Sequence, residues 1–156
     1  MTDSALDRIR TARLAARDAI GSEAALAHPC AIGWATVELD RAASELARDL
    51  GVSTDTFVDA RDSLTLGARC RVAADVLPGS LVLVLLEPST EGRLAATLAR
   101  FGEGPAVTWY KTEAGIDVET SVARPGPLGS ERLVVGDPVR GPYRLLIGPE
   151  TGTIAS

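Results

Sequence analysis

Histidine is nearly absent from this chain: His28 is the only one in 156 residues. One histidine excludes the multi-histidine sets that hold zinc and similar ions. Lysine is equally scarce, Lys111 being the only one, and every other basic side chain is arginine. The two cysteines, Cys30 and Cys70, lie far apart with no CxxC spacing. That spacing fits neither a zinc ribbon nor a disulfide framework and suits two reduced thiols in a cytoplasmic protein. Aromatic residues make up 4% of the chain, so Val, Leu, Ala and Ile must build the core. The net charge is −5, which excludes a sequence-blind nucleic-acid binder and disfavours anionic membranes. No apolar run approaches the roughly 18 residues of a membrane span. The longest, Leu81 to Leu86, is strand-sized. Between Met1 and Ala27, Asp3, Asp7, Arg8, Arg10, Arg13, Arg17 and Asp18 interrupt any signal-peptide core. GxxxxGK[ST], GxGxxG and GxSxG motifs are all missing.

What remains is enough for one folded domain with a core of its own. Leu6, Ile9, Ala16 and Ile20 recur near helical spacing, which predicts an amphipathic helix over Asp3–Ile20. With its linker it occupies residues 1–26, ahead of a domain over 27–150 and a tail over 151–156. Ala31–Val37 reads as a strand. Asp40 is placed to cap a helix whose apolar stripe is Ala43, Leu46, Ala47 and Leu50, with Gly51 as its stop. Val52–Leu64 leaves strand and turn both open. Ala68–Ala74 alternates as a half-exposed strand, and Pro78-Gly79 marks a turn. Leu81–Leu86 is apolar on both faces, as a covered central strand is. Ser89 or Thr90 is placed to cap a helix through Phe101, before a Gly102–Pro105 loop. Ala106–Lys111, Arg132–Val135 and Tyr143–Ile147 read as strands. The order is a helix, then β-α-β-β-β, a helical link and β-loop-β-β-β. A faint internal repeat sets Ala31-Ile-Gly-Trp34 against Ala106-Val-Thr-Trp109.

Leu85-Leu-Glu-Pro88, a helix, then Gly102-Glu-Gly104 and a strand resemble the central stretch of methylmalonyl-CoA epimerases. Ala31-Ile-Gly-Trp-Ala-Thr-Val-Glu-Leu-Asp-Arg-Ala42 resembles their opening strand and helix. These proteins belong to the vicinal oxygen chelate superfamily, with glyoxalase I and the bleomycin-resistance proteins. The resemblance spans roughly residues 28–150. It implies an α+β fold of paired βαβββ modules forming a curled sheet around a cavity, here with a degenerate second module and an added N-terminal helix. It also implies that metal-dependent members hold an ion with four side chains, which polarises a carbonyl or enediolate. At the corresponding positions this chain has Ala31, Val84, Val107 and Leu145. None has a lone pair for a cation, so no metal and no cofactor are expected.

The remaining candidates are read from the residues. Trp34 and Trp109 could wall a planar ligand or pack in a core. Their register decides it, since a one-residue shift turns a side chain to the other face. The epimerase-like alignment turns Val107 and Trp109 to the cavity, whereas the internal repeat turns Ala106, Thr108 and Tyr110 there. Arg71 and Arg144 sit in strands, where a guanidinium could clamp a carboxylate or phosphate. Tyr110 and Glu87 are the catalytic candidates if chemistry occurs; for Glu87 the alternatives are helix capping or an arginine partner. Lys111 is either a Schiff-base lysine, if buried, or an exposed strand-end lysine. His28 and Cys30 share one side of a strand, which permits a Cys–His pair; a loop histidine beside a buried thiol is the ordinary alternative.

These readings lead to a metal-free glyoxalase-like protein that binds a small organic molecule in an apolar cavity, with natural-product sequestration as one use. The binding candidates are Trp109, Tyr110, Arg71, Arg144 and Trp34. The alternative is a metal-independent isomerase, lyase or cyclase acting on a carbonyl compound or acyl thioester. A third reading docks the N-terminal helix on a partner, and a homodimer matches folds that pair modules between chains.

Overall fold

A computed structural model describes residues 4–19, 27–89, 91–112, 119–134 and 143–148. Helix α1 is Ala5–Ala19. The first module is β1 (Ala27–Ala35), α2 (Leu39–Leu50), β2 (Val58–Ser63), β3 (Ala68–Ala73) and β4 (Val82–Pro88). Helix α3, Arg93–Phe101, links it to β5 (Gly104–Thr112), β6 (Arg124–Gly126), β7 (Gly129–Leu133) and β8 (Tyr143–Ile147). One eight-stranded sheet runs β2-β3-β4-β1-β5-β8-β7-β6. The order is the same read from either end with the modules exchanged. Each module pairs its first and last strands in parallel, β1 with β4 and β5 with β8. Antiparallel β1 and β5 join the two at the centre.

The sheet curls until its outer strands meet. The Leu64 N–H, just past β2, donates to the Pro125 carbonyl of β6 at 3.2 Å. The resulting barrel has a helix-covered outer face and an apolar inner one. Outside, α2 buries Leu39, Ala42, Ala43, Leu46 and Ala47, and α1 buries Ala5 and Ile9, against Ile32, Trp34, Leu83 and Leu85. Inside are Ala31, Ala68, Cys70, Val84, Leu86, Val107, Trp109 and Leu145. Leu94 of α3 joins this inner set. It lies at the end of the barrel where β1 and β4 finish and β5 begins.

Helix α2 is capped differently from expectation. Asp40 lies inside its first turn and pairs with Arg71. Two carboxylates from elsewhere take the free amides instead: Glu87 accepts from the Leu39 N–H at 3.0 Å, and Glu103 from the Val37 N–H at 2.9 Å. Burial works against the Glu103 carboxylate, but Arg41, the Val37 amide and the Thr36 hydroxyl outweigh it and hold the group below its ordinary range. The helix ends where expected, at Gly51 with φ 72°. Helix α3 begins after Gly92 rather than at Ser89. The Ser89 N–H and hydroxyl both donate to the Gly67 carbonyl, at 2.8 and 3.1 Å, which ties Ser89 to the β2–β3 turn instead of to α3; Thr90 lies outside the described residues.

The last strands also shift. The sequence predicts a strand over Arg132–Val135, yet β7 begins at Gly129, and Arg124–Gly126 add an edge strand that the sequence pattern does not announce. Proline is tolerated at a sheet edge, where no ladder bond is lost. Val135, Ile20 and Gly21 lie outside the described residues. No helix among the described residues is long and apolar enough to cross a membrane.

The second module has no helix of its own among the described residues, and α1 covers its outer face. Ala16 packs with Tyr110 and Leu146, and the Tyr110 hydroxyl donates to the Ala16 carbonyl at 2.8 Å. Arg8 fastens the same helix, donating to the Glu103 carbonyl at 2.9 Å while its guanidinium lies 5.0 Å from the Trp34 ring centre.

Candidate functional site

Strand alternation along β5 turns Val107, Trp109 and Lys111 to the inside of the barrel. Thr108 and Tyr110 face outward. The register is therefore that of the epimerase-like alignment, not of the internal repeat. The repeat slips because Gly33 pairs with Val107 and Trp34 with Pro105, which leaves Ala106 as an extra residue inside the repeated stretch; a separate shift between Pro29 and Ala31 leaves Cys30 as a bulge.

Ala31, Val84, Val107 and Leu145 all belong to the inner face and are at most 1% exposed. Trp109 belongs to the same buried inner set. A Cβ on Gly33 would come within 2.8 Å of both Trp109 Cζ3 and Leu86 Cδ1, so the missing side chain makes room for the indole. Trp109 Nε1 donates to Glu131 Oε1 at 3.0 Å, and the Ser63 hydroxyl donates to Oε2 at 2.6 Å. Ser63 Oγ also accepts from the Leu66 N–H at 3.2 Å. Glu131 is fully buried. Gly126 leaves space for its carboxyl, since a Cβ there would collide with Oε1. Burial, only partly offset by the Ser63 and Trp109 donors, pushes the Glu131 carboxyl above its ordinary range. Cys70, in the same interior, is pushed up to about 12, first by burial and further by the Glu131 carboxyl.

Glu131 and Ser63 were not singled out from the sequence. The signal was the position of β7: starting it at Gly129 puts Glu131 and Leu133 on the same side as Leu145, with which Leu133 pairs. An alternating strand then carries an acid into an apolar interior.

At the end of the barrel opposite α3 is a cavity of about 480 Å³, a size compatible with a small organic ligand. Lys111, Cys30, Ser80 and Ser130 supply its polar wall, and Val82 and Ile147 are among its apolar lining. Lys111 is exposed and forms no salt bridge among the described residues. Burial pushes the Cys30 thiol up to about 11, against a smaller pull from the Lys111 ammonium. Cys30 is thus a neutral thiol near pH 7, a poor nucleophile. His28 pairs with Lys111 across the strands and is exposed.

The five binding candidates do not converge on either place. Trp109 is inside, whereas Trp34 packs on the outer face under α1 and α2. Tyr110 lies outside beneath α1, its phenol pushed up to about 12 by burial. Arg71 bridges Asp40 and Asp59, the latter at 3.2 Å. Arg144 pairs with Thr108 in the sheet, on the face away from Leu145. Glu87, the second catalytic candidate, caps α2 and pairs with Arg69.

No family model matches the sequence, and no curated protein matches it. Solved structures do. Methylmalonyl-CoA epimerase from Mycobacterium tuberculosis superposes with a TM-score of 0.59 at 20% identity, over 78% of this chain and 87% of that one. A variant of the Streptomyces coelicolor methylmalonyl-CoA epimerase, in complex with 2-nitronate-propionyl-CoA, gives 0.61 at 22% identity, over 81% and 96%. A hypothetical protein from Bacillus halodurans gives 0.60 at 16%, over 83% and 99%. The chain has the vicinal oxygen chelate fold. Its two βαβββ-type modules, the second without a helix among the described residues, are those of that fold.

The four inner positions carry only hydrocarbon, and no group of three or more His, Cys, Asp or Glu side chains gathers among the described residues. The inner carboxyl of Glu131 is engaged by Ser63 and Trp109.

Proposed function

We propose that this chain is a metal-independent member of the vicinal oxygen chelate fold that binds a small organic molecule. One observation carries the reading: the buried inner face that Trp109 shares with Ala31, Val84, Val107 and Leu145 has no donor atom at those four positions. Space for a guest is found at the end of the barrel, beside Lys111 and Cys30. Polar groups at the edge of an apolar cavity are the usual profile of a small-molecule site. The test is metal analysis of the purified chain after incubation with zinc, cobalt, nickel and manganese. The expected result is no stoichiometric retention after desalting. One equivalent of a divalent ion, removable by chelator, would overturn the reading.

A second reading is supported by the complexes of solved neighbours with acyl-CoA compounds. Under it the chain is a metal-independent isomerase, lyase or cyclase for an acyl thioester. Tyr110 and Glu87 would not carry the proton in that case, since both are engaged away from the inner face. Incubation with methylmalonyl-CoA in deuterated water separates the readings. Deuterium appearing at C2 above the uncatalysed rate supports the enzyme; no incorporation supports binding alone.

A further inference from the structure

We propose that the cavity at the barrel end is a carboxylate site, with Lys111 as the anchor of a small monocarboxylic acid whose apolar body lies against Val82, Leu128 and Ile147. The proposal rests on the binding reading above and names the ligand class. Four features converge on it. Lys111 is the only lysine in the chain, and strand alternation aims it to the inner side while leaving it exposed at the cavity. No described carboxylate forms a salt bridge with it, although the protein carries a net charge of −5. The other polar side chains of the lining, Ser80, Ser130 and Cys30, are neutral hydrogen-bonding groups. The bulged Cys30 lines the same cavity as the lysine and adds a third neutral polar group beside it.

The charge count sets the ligand class. An ammonium is a single point charge with three donors. No arginine among the described residues lines the cavity, so these residues supply no bidentate fork of the kind that recognises phosphate. One cation with two hydroxyls matches one carboxylate rather than a phosphate dianion. The apolar lining favours a short hydrocarbon body over a bare ion.

The scarcity of lysine makes the site directly observable. Reductive methylation with ¹³C-formaldehyde keeps the charge of an amine. It labels only Lys111 and the terminal amine, which gives two distinct methyl signals. Hexanoate at millimolar concentration is expected to shift the Lys111 signal saturably and leave the terminal one in place. Hexanamide, of the same shape without the charge, is expected to shift neither. In unmethylated protein, the Val82 and Ile147 amide resonances report binding independently. There, Lys111→Gln is expected to weaken hexanoate about tenfold or more, the scale of losing one charge-assisted hydrogen bond, and Lys111→Arg to retain most of it. Equal binding of hexanamide and hexanoate, unchanged by Lys111→Gln, would overturn the carboxylate assignment and leave the binding reading standing. Inorganic phosphate binding more tightly than hexanoate would overturn the ligand class. No shift with any probe would overturn the site, and metal uptake in the separate analysis would then decide the fate of the broader reading.

Discussion

The middle and the end of the inner face share the same two strands and have opposite chemistry. In the middle, Ala31 faces Trp109, and the Trp109 indole and the Ser63 hydroxyl both donate to the Glu131 carboxyl. Toward the strand ends, the bulged Cys30 and the exposed Lys111 line open space. Alternation alone cannot tell the two apart, because it puts Trp109 and Lys111 on one side. The difference comes from what lies across the barrel. Glu131 on β7 and the bare Gly33 on β1 draw the Trp109 ring inward and hold it, whereas the described lining near Lys111 offers neutral groups only.

The contrast can be broken most severely at Trp109. Trp109→Ala is expected to cost about 3–5 kcal/mol, the range for emptying a large aromatic from a packed core. It also strips Glu131 of a donor. Urea denaturation measures the loss, and a change below about 1 kcal/mol would mean that the ring is not a packing element.

Gly33→Ala is the next largest. Its methyl would lie 2.8 Å from the indole and from Leu86, and overpacking of this kind costs about 1–3 kcal/mol. Combining it with Trp109→Ala should recover part of that cost, because the two share one space. Strict additivity would separate them.

Glu131→Gln sharpens the comparison through pH. The folded carboxyl titrates above its unfolded range, so the folded chain keeps a proton that the unfolded chain releases. The associated stability is full below about pH 4 and is lost as pH rises through the folded value. Parent and variant should therefore have similar stability near pH 4, with the variant gaining on the parent toward neutrality. Parallel stability curves from pH 4 to 8 would contradict this.

The smallest effect concerns Cys30. A thiol at about 11 is ionised to about one part in a thousand at pH 8, so alkylation by iodoacetamide should be on the order of a hundredfold slower than for a free peptide thiol. Mass spectrometry at timed intervals reads it. A rate matching free thiol would place Cys30 in a nucleophilic role instead.

The framework was legible in the sequence wherever one face is apolar and the other is not. The α2 stripe, Leu81–Leu86 and Tyr143–Ile147 all announce themselves by periodicity, and element order plus two short motifs led to the right fold. The interior was less legible. Trp109 and Trp34 look alike in sequence and end on opposite faces, because the register shift between Gly33 and Trp34 leaves Ala106 as an extra residue and breaks the apparent repeat. Edge strand β6 hid behind Pro125 and Gly126, and with it went the position of Glu131. Tertiary partners also claimed the candidate arginine and acid: Arg71 went to Asp40 and Asp59, and Glu87 to the head of α2.

Amide chemical-shift mapping with hexanoate compares the two regions in one experiment. The largest changes are predicted at Cys30, Val82, Ser130 and Ile147, around Lys111, with Val84, Val107 and Leu145 unmoved. Changes centred on Val84, Val107 and Leu145 would put the guest in the middle of the barrel and contradict the account.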